Sequence, residues 1–186
     1  MKLREVPDFF RGWFAGSLRG NDSRLAVRLR QKIYRTPCRI ATGVTIANRE
    51  NFSAGQGCWL YHGCYILNHE GRFEMGDDSH LGAYCYVNVC HGQVRLGHDV
   101  AVGPGTKIIA HSNHYARGRK VTEERKTADI VIGNNVLIGA NCTILPGTVI
   151  QDHVIVAAGA VARGVLEANS IYGGVPCVKL KSGWYD

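Results

Sequence analysis

The stretch HSNHYARGRKVTEERKTA, residues 111–128, sets His111 and His114 three residues apart ahead of a run of mixed charge. An imidazole titrates near neutrality, so a positioned histidine can take a proton from a hydroxyl and return it to a leaving group. Arg117, Arg119, Lys120, Arg125 and Lys126, balanced by Glu123 and Glu124, mark the segment as solvated. Such a segment does chemistry only when a rigid scaffold presents it.

The scaffold is written on both sides of the interruption. FSAG at 52, FEMG at 73, VRLG at 94 and IVIG at 130 repeat one apolar-x-apolar-Gly phrase, the first three 21 residues apart. Within each unit an aliphatic or similar residue returns every sixth position, as in Leu96, Val102, Ile108 and in Ile132, Ile138, Ile144. The position four further on is small or β-branched: Ser79, Val100, Thr106, Val136, Thr148, Val154, Ala160. Cys58, Cys64, Cys85 and Cys142 occupy that slot, which reads them as small hydrophobes of a narrow core. Neither a CxxC pair nor a metal-finger spacing is present, so no structural zinc is expected.

A period of six suits neither an α-helix nor a lone amphipathic strand. Three hexads make one turn of a three-sided parallel β-solenoid, with neighbouring coils about 4.8 Å apart. After Leu96 a plain unit would restart at 117, yet IVIG restarts it at 132, so fifteen residues are inserted. An insertion that leaves the stack intact must protrude from a corner, which predicts a loop at about 111–129.

The phrases IVIGNNVLIGANCTILPGTVIQDHVIVAAGAVA and YGGVPCVKL closely resemble the hexapeptide-repeat acyltransferases, in particular the sugar O-acetyltransferases. The resemblance implies an all-β fold, a left-handed parallel β-helix, a homotrimer and acetyl-CoA as co-substrate with no metal. It implies a direct transfer to a hydroxyl of a carbohydrate acceptor such as a polysaccharide, lipopolysaccharide or glycan precursor. The family's histidine base matches the SNH of residues 112–114, making His114 the candidate, with His111 as a nearby helper. The second hexads carry Gly82-Ala83, Gly103-Pro104, Gly139-Ala140 and Ala157-Ala158, a strip of small residues. Small residues there also suit the turn; the resemblance makes the strip a bed for the pantetheine arm, with Arg163, Lys179 and Lys181 for the phosphates. His91, Asn88 and Arg117 are candidates on the acceptor side. The histidines close a third hexad and the strip opens a second, so the two meet only across a subunit boundary.

A row of His69, His91 and His111 allows a rival, a metal-dependent hydratase resembling the gamma-type carbonic anhydrases; a silent scaffold is a third reading, and transfer to an amine of an amino sugar or drug a fourth. Residues 1–40 hold 10 Lys/Arg against 3 Asp/Glu while the remainder is balanced, so the net +7 sits in this arm. The arm reads as a basic amphipathic cap ahead of a β-helix domain at 41–186. Asp22 and Ser23 are helix caps, and Leu25, Leu29 and Ile33 form an apolar stripe. DFFRGWF is either a plug on the first coil or an anchor in an anionic membrane surface. No signal peptide or membrane-length apolar run is present, so a cytoplasmic protein is expected, either free or peripheral on the inner membrane face, with no nucleic-acid partner. GGVPCVKLKSGWYD leaves the hexad pattern and is expected to cap the last coil.

Overall fold

The computed structural model describes residues 22–185; the DFFRGWF segment lies outside them. The repeat folds as three parallel sheets, each built from one strand per coil. The first face stacks Arg39–Ile40, Trp59–Leu60, His80–Leu81, Ala101–Val102, Leu137–Ile138, Val154–Val156 and Ser170–Gly173. The second stacks Thr45–Ile46, Tyr65–Leu67, Tyr86–Asn88, Lys107–Ile109, Thr143–Ile144 and Val161–Ala162. The third carries the apolar-x-apolar-Gly phrases in register, Phe52 opposite Phe73, Phe73 opposite Val94 and Val94 opposite Ile130. Each coil thus passes from the first face through a first corner to the second, and through a second corner to the third.

The hexad positions point into the prism. Leu60, Leu81, Val102, Ile138, Ile66, Val87, Ile108 and Ile144 are fully buried, layer on layer. The four cysteines are buried too, at 0–1% exposure, and all are free thiols. They are more than small hydrophobes. Cys58 Sγ donates to the Gly76 carbonyl (2.9 Å), Cys64 to Gly82 (3.1 Å), Cys85 to Gly103 (3.2 Å) and Cys142 to Ala157 (3.2 Å). Ser79 and Thr106 do the same to Gly97 (2.9 Å) and Gly139 (3.0 Å). A corner carbonyl that turns out of the ladder needs a donor when buried, and the slot supplies one. Burial lifts the thiols of Cys58 and Cys142, so they stay protonated for that purpose.

Helix α1 (Arg24–Tyr34) closes the first coil. Ser23 accepts from the Ala26 N–H at 3.3 Å, a cap worth about 1 kcal/mol. The buried side is Ala26, Arg30 and Ile33; of the expected apolar stripe Ile33 packs, Leu29 is half-buried and Leu25 is 69% exposed. Arg30 takes the inner position because its charge is met: Nε donates to the Ile40 carbonyl (2.6 Å) and the guanidinium pairs with Asp22 (2.5 Å). Asp22 also accepts from the Thr42 N–H at 2.7 Å, tying the helix approach to the first coil.

At the other end Val178–Ser182 runs antiparallel on Ser170–Gly173, and Trp184 Nε1 donates to the His153 carbonyl (2.7 Å) while Tyr185 stacks on the His153 ring. The expected C-terminal cap is therefore a strand plus two aromatics. Among the described residues no helix is long and apolar enough to cross a membrane.

Candidate active site

The second corner is built mainly of short turns, and in the fourth coil it opens into the predicted protrusion. That protrusion is a two-stranded antiparallel ribbon, His111–Asn113 against Arg125–Thr127. Ala128 N–H donates to the Ala110 carbonyl at its base (3.0 Å), and His114 N–H to Glu124 at the far end of the ladder (3.0 Å). Asp129 accepts from Gln93 N–H (2.8 Å), fastening the ribbon's exit to the preceding coil. Its tip carries Arg117, exposed, and the pairs Arg119–Glu124 and Lys120–Glu123. The antiparallel pairing of so charged a segment carried no periodic signal in the chain.

His69, His91 and His111 do share this corner, one per coil. The rings of His91 and His111 meet edge to face at 5.0 Å. His91 Nδ1 lies 2.9 Å from a Glu70 carboxylate oxygen, and His111 Nδ1 lies 2.8 Å from Thr127 Oγ1. Asn88 donates from Nδ2 to the His111 carbonyl at 3.0 Å and accepts from the Cys90 N–H at 3.4 Å, so its amide holds the chain that carries His111. His69 is exposed, and its carbonyl accepts from Asn48 and Asn51, both at 2.9 Å. Among the described residues no group of three His, Cys, Asp or Glu is arranged to hold a metal.

The two ribbon histidines differ in setting. His111 is half-buried with its ring engaged by His91 and Thr127; His114 is exposed at the end of the ladder, its backbone fixed. Burial first, then His91 and Arg125, hold the His111 imidazole below its usual pKa. The unfolded ring binds its proton at a pH where the folded ring does not. The stabilisation is therefore present above the ordinary histidine value, about 6.5, and is lost as pH falls through the depressed folded value. Amide protection of His114 and Ala128, corrected for intrinsic exchange rates, is expected to fall between about pH 7 and pH 5. Arg125→Gln should lessen that dependence only slightly, because burial, its largest cause, and His91 remain.

The strip of small residues lies along the first corner, away from the histidines, as their registers required. A Cβ on Gly82 would come within 2.7 Å of Pro104 N, on Gly103 within 2.5 Å of Ala140 N, and on Gly139 within 2.4 Å of Ala158 N. Coil stacking alone thus demands these glycines. The open part of the strip is its outer side: Ala140 is half-buried, Ala158 is exposed, and a Cβ on Gly159 would meet nothing within 4 Å. Ala157 is half-buried beneath Gly173 of the last coil.

The cations expected for phosphates are not gathered within one protomer. Arg163 follows the second-face strand Val161–Ala162, on the histidine corner, whereas Lys179 and Lys181 lie on the antiparallel strand of the first face. Lys179 is ion-paired with Glu167 and lies 5.9 Å from the Tyr172 ring centroid. Arg163 and Lys181 are exposed.

With this geometry in view, comparison with known proteins is informative. Residues 129–164 match the family model described as bacterial transferase hexapeptide (six repeats). The chain is 28% identical over 160 residues, 81% of this chain and 78% of the other, to WbbJ of Escherichia coli (strain K12), named as an O-acetyl transferase of lipopolysaccharide biosynthesis. It is 27% identical over 130 residues to the galactoside O-acetyltransferase of the same organism, covering 67% of this chain and 61% of that one. The solved structure of AntD, an N-acyltransferase from Bacillus cereus in complex with dTDP and 3-hydroxybutyryl-CoA, superimposes with a TM-score of 0.70 at 23% identity, over 78% of this chain and 79% of that one. Three parallel faces, a six-residue repeat and these relatives agree: the chain has the left-handed β-helix fold, carries the bacterial transferase hexapeptide repeat and is similar to acyltransferases built on it.

Proposed function

We propose that the protein is an acetyl-CoA-dependent O-acetyltransferase acting on a sugar hydroxyl, working as a homotrimer with His114 as the general base. The observation that carries this reading is the ribbon at the second corner, which holds an exposed imidazole on a fixed backbone above a coil stack whose first corner is lined with small residues. The names of the two enterobacterial relatives support the O-acetyl and carbohydrate parts.

The residues present fit a thin, flexible thioester carrier. Ala140, Ala158 and Gly159 leave its course along the edge free of side chains, Gly139 lets the coils close beneath it, and Arg163 and Lys181 are cations within the C-terminal coils for its phosphates. Acetyl-CoA, when bound, supplies the activated acetyl group. His114 receives the proton of the acceptor hydroxyl as its oxygen becomes nucleophilic, then delivers it to the departing sulfur. His111, pinned between His91 and Thr127, keeps the base of the ribbon in place, and Asn88 keeps His111 there. Because the strip and the imidazoles occupy different corners, a trimer brings one protomer's ribbon to the next protomer's strip. Acceptors drawn from lipopolysaccharide or other glycan assembly fit the name of WbbJ.

The test is thiol release from acetyl-CoA with a panel of sugars, nucleotide sugars and glycan precursors. Acceptor-dependent release with an acetylated product is expected; absence of release with every acceptor would remove the reading. Ala158→Phe gives a second check, since this exposed position tolerates bulk in the fold but not in the groove. Its KM for acetyl-CoA should rise at least about tenfold, equivalent to about 1.4 kcal/mol, with unchanged melting temperature.

A further inference from the structure

Each coil turns from the first corner into the second face through one residue of left-handed backbone. In register these are Gly43 (φ 70°), Gly63 (71°), Tyr84 (59°), Gly105 (71°), Asn141 (56°) and Gly159 (75°). Glycine takes this conformation freely and asparagine at little cost, whereas for a bulky side chain it is a true outlier. Tyr84 therefore sits where the fold disfavours it, and the core gains nothing, because the residue is 66% exposed.

What the tyrosine does is lay its ring out along the corner. It crosses Gly63, whose missing Cβ would fall 2.4 Å from Cδ1, and it meets the His62 ring edge to face at 4.9 Å and 86°. Gly63 makes the room and His62 props the ring. His62 stands in register with Ala83, Pro104, Ala140 and Ala158, so this pair terminates the strip of small residues at its N-terminal end. Behind it, Tyr61 stacks on Trp59 at 4.6 Å and 11°, giving the end of the strip a stiff aromatic backing.

We infer that the Tyr84 ring, held by His62, is a stacking shelf for a pyranose ring of the acceptor. The inference rests on the sugar-transferase reading above and says which part of the surface selects the sugar. A pyranose has an apolar face of axial C–H groups that lies flat on an aromatic ring, and a rim of hydroxyls that an imidazole and a phenol can meet. The other flat candidate is the base of the nucleotide donor. Arg163 and Lys181 sit in the C-terminal coils and Tyr84 on an early one, so the charged end of a donor belongs to the opposite end of the edge.

The test uses maltose and methyl β-galactoside as probes in saturation-transfer NMR, with steady-state kinetics alongside. Tyr84→Asn places at this corner the residue that Asn141 already places there, so the variant should melt no lower than wild type. Saturation of the sugar ring protons is expected with wild type, retained in Tyr84→Phe and lost in Tyr84→Asn, with the acceptor KM of Tyr84→Asn raised at least tenfold at unchanged KM for acetyl-CoA. Wild type that transfers saturation to neither sugar, or a Tyr84→Asn protein that binds as wild type does, overturns the shelf. So does a rise in KM for acetyl-CoA instead, which would assign the ring to the donor base, or a change in oligomer mass, which would assign it to an interface. Sugar binding without thiol release would keep the shelf and remove the transferase; thiol release indifferent to Tyr84 would do the reverse.

Discussion

His114→Ala should lower kcat by about a hundredfold to ten-thousandfold with little change in either KM, because a general base acts on the transition state rather than on binding. The exposed ring makes no contribution to the core, so the variant should melt with wild type. His111→Ala is the informative companion. Its ring packs on His91 and bonds Thr127, so its loss should loosen the ribbon and raise the acceptor KM, with a smaller fall in kcat. Acceptor-dependent thiol release for both variants decides the matter: collapse confined to His111→Ala would move the base three residues back along the ribbon.

The second large effect is on stability. Gly139→Ala adds one carbon that would lie 2.4 Å from the nitrogen and 2.7 Å from the Cα of Ala158, both backbone atoms of the next coil. Neither can rotate away, so the coils must separate where Gly139 N–H donates to Val156 at 2.8 Å. Over-packing of this kind costs about 1–3 kcal/mol, and a rigid backbone neighbour puts it at the upper end. At about 2–4 °C per kcal/mol for a chain of this size, the melting temperature should fall on the order of 6–12 °C. Gly164→Asn is the control: its backbone is left-handed at φ 71°, asparagine accepts that conformation, and a Cβ there meets nothing within 4 Å. Equal melting temperatures for the two variants would refute the stacking account of the strip.

The hexads made the prism legible because each residue's inward or outward sense depends only on its place in the repeat. The corner holding His69, His91 and His111 followed from the same register, and so did the separation of the strip from the histidines. Properties that depend on contacts between distant segments were not legible. The helix stripe Leu25, Leu29, Ile33 has the spacing of a packing face, yet Leu25 is exposed while Arg30 is buried at 3% exposure, because Asp22 and the Ile40 carbonyl meet it in three dimensions. The core cysteines looked like small hydrophobes, and their role as donors appeared only once the carbonyl beside each was placed. The one signal that could have found Tyr84 was available: in the aligned coils it stands alone among glycines and an asparagine.

Closing the ribbon at its base has a consequence for how such an enzyme diversifies. Ala110 and Ala128 are joined by a hydrogen bond of 3.0 Å, so the intervening residues leave the stack and return to it at almost the same point. Beyond His111, which His91 and Asn88 hold, the ordered wall does not register their number or identity, and lengthening such an excursion costs little in closure entropy. The segment carrying the imidazoles is in effect a cartridge. It can be rewritten or transplanted between stacks of the same pitch while the wall that organises it is inherited unchanged, so the imidazole-bearing segment and the fold are free to drift apart.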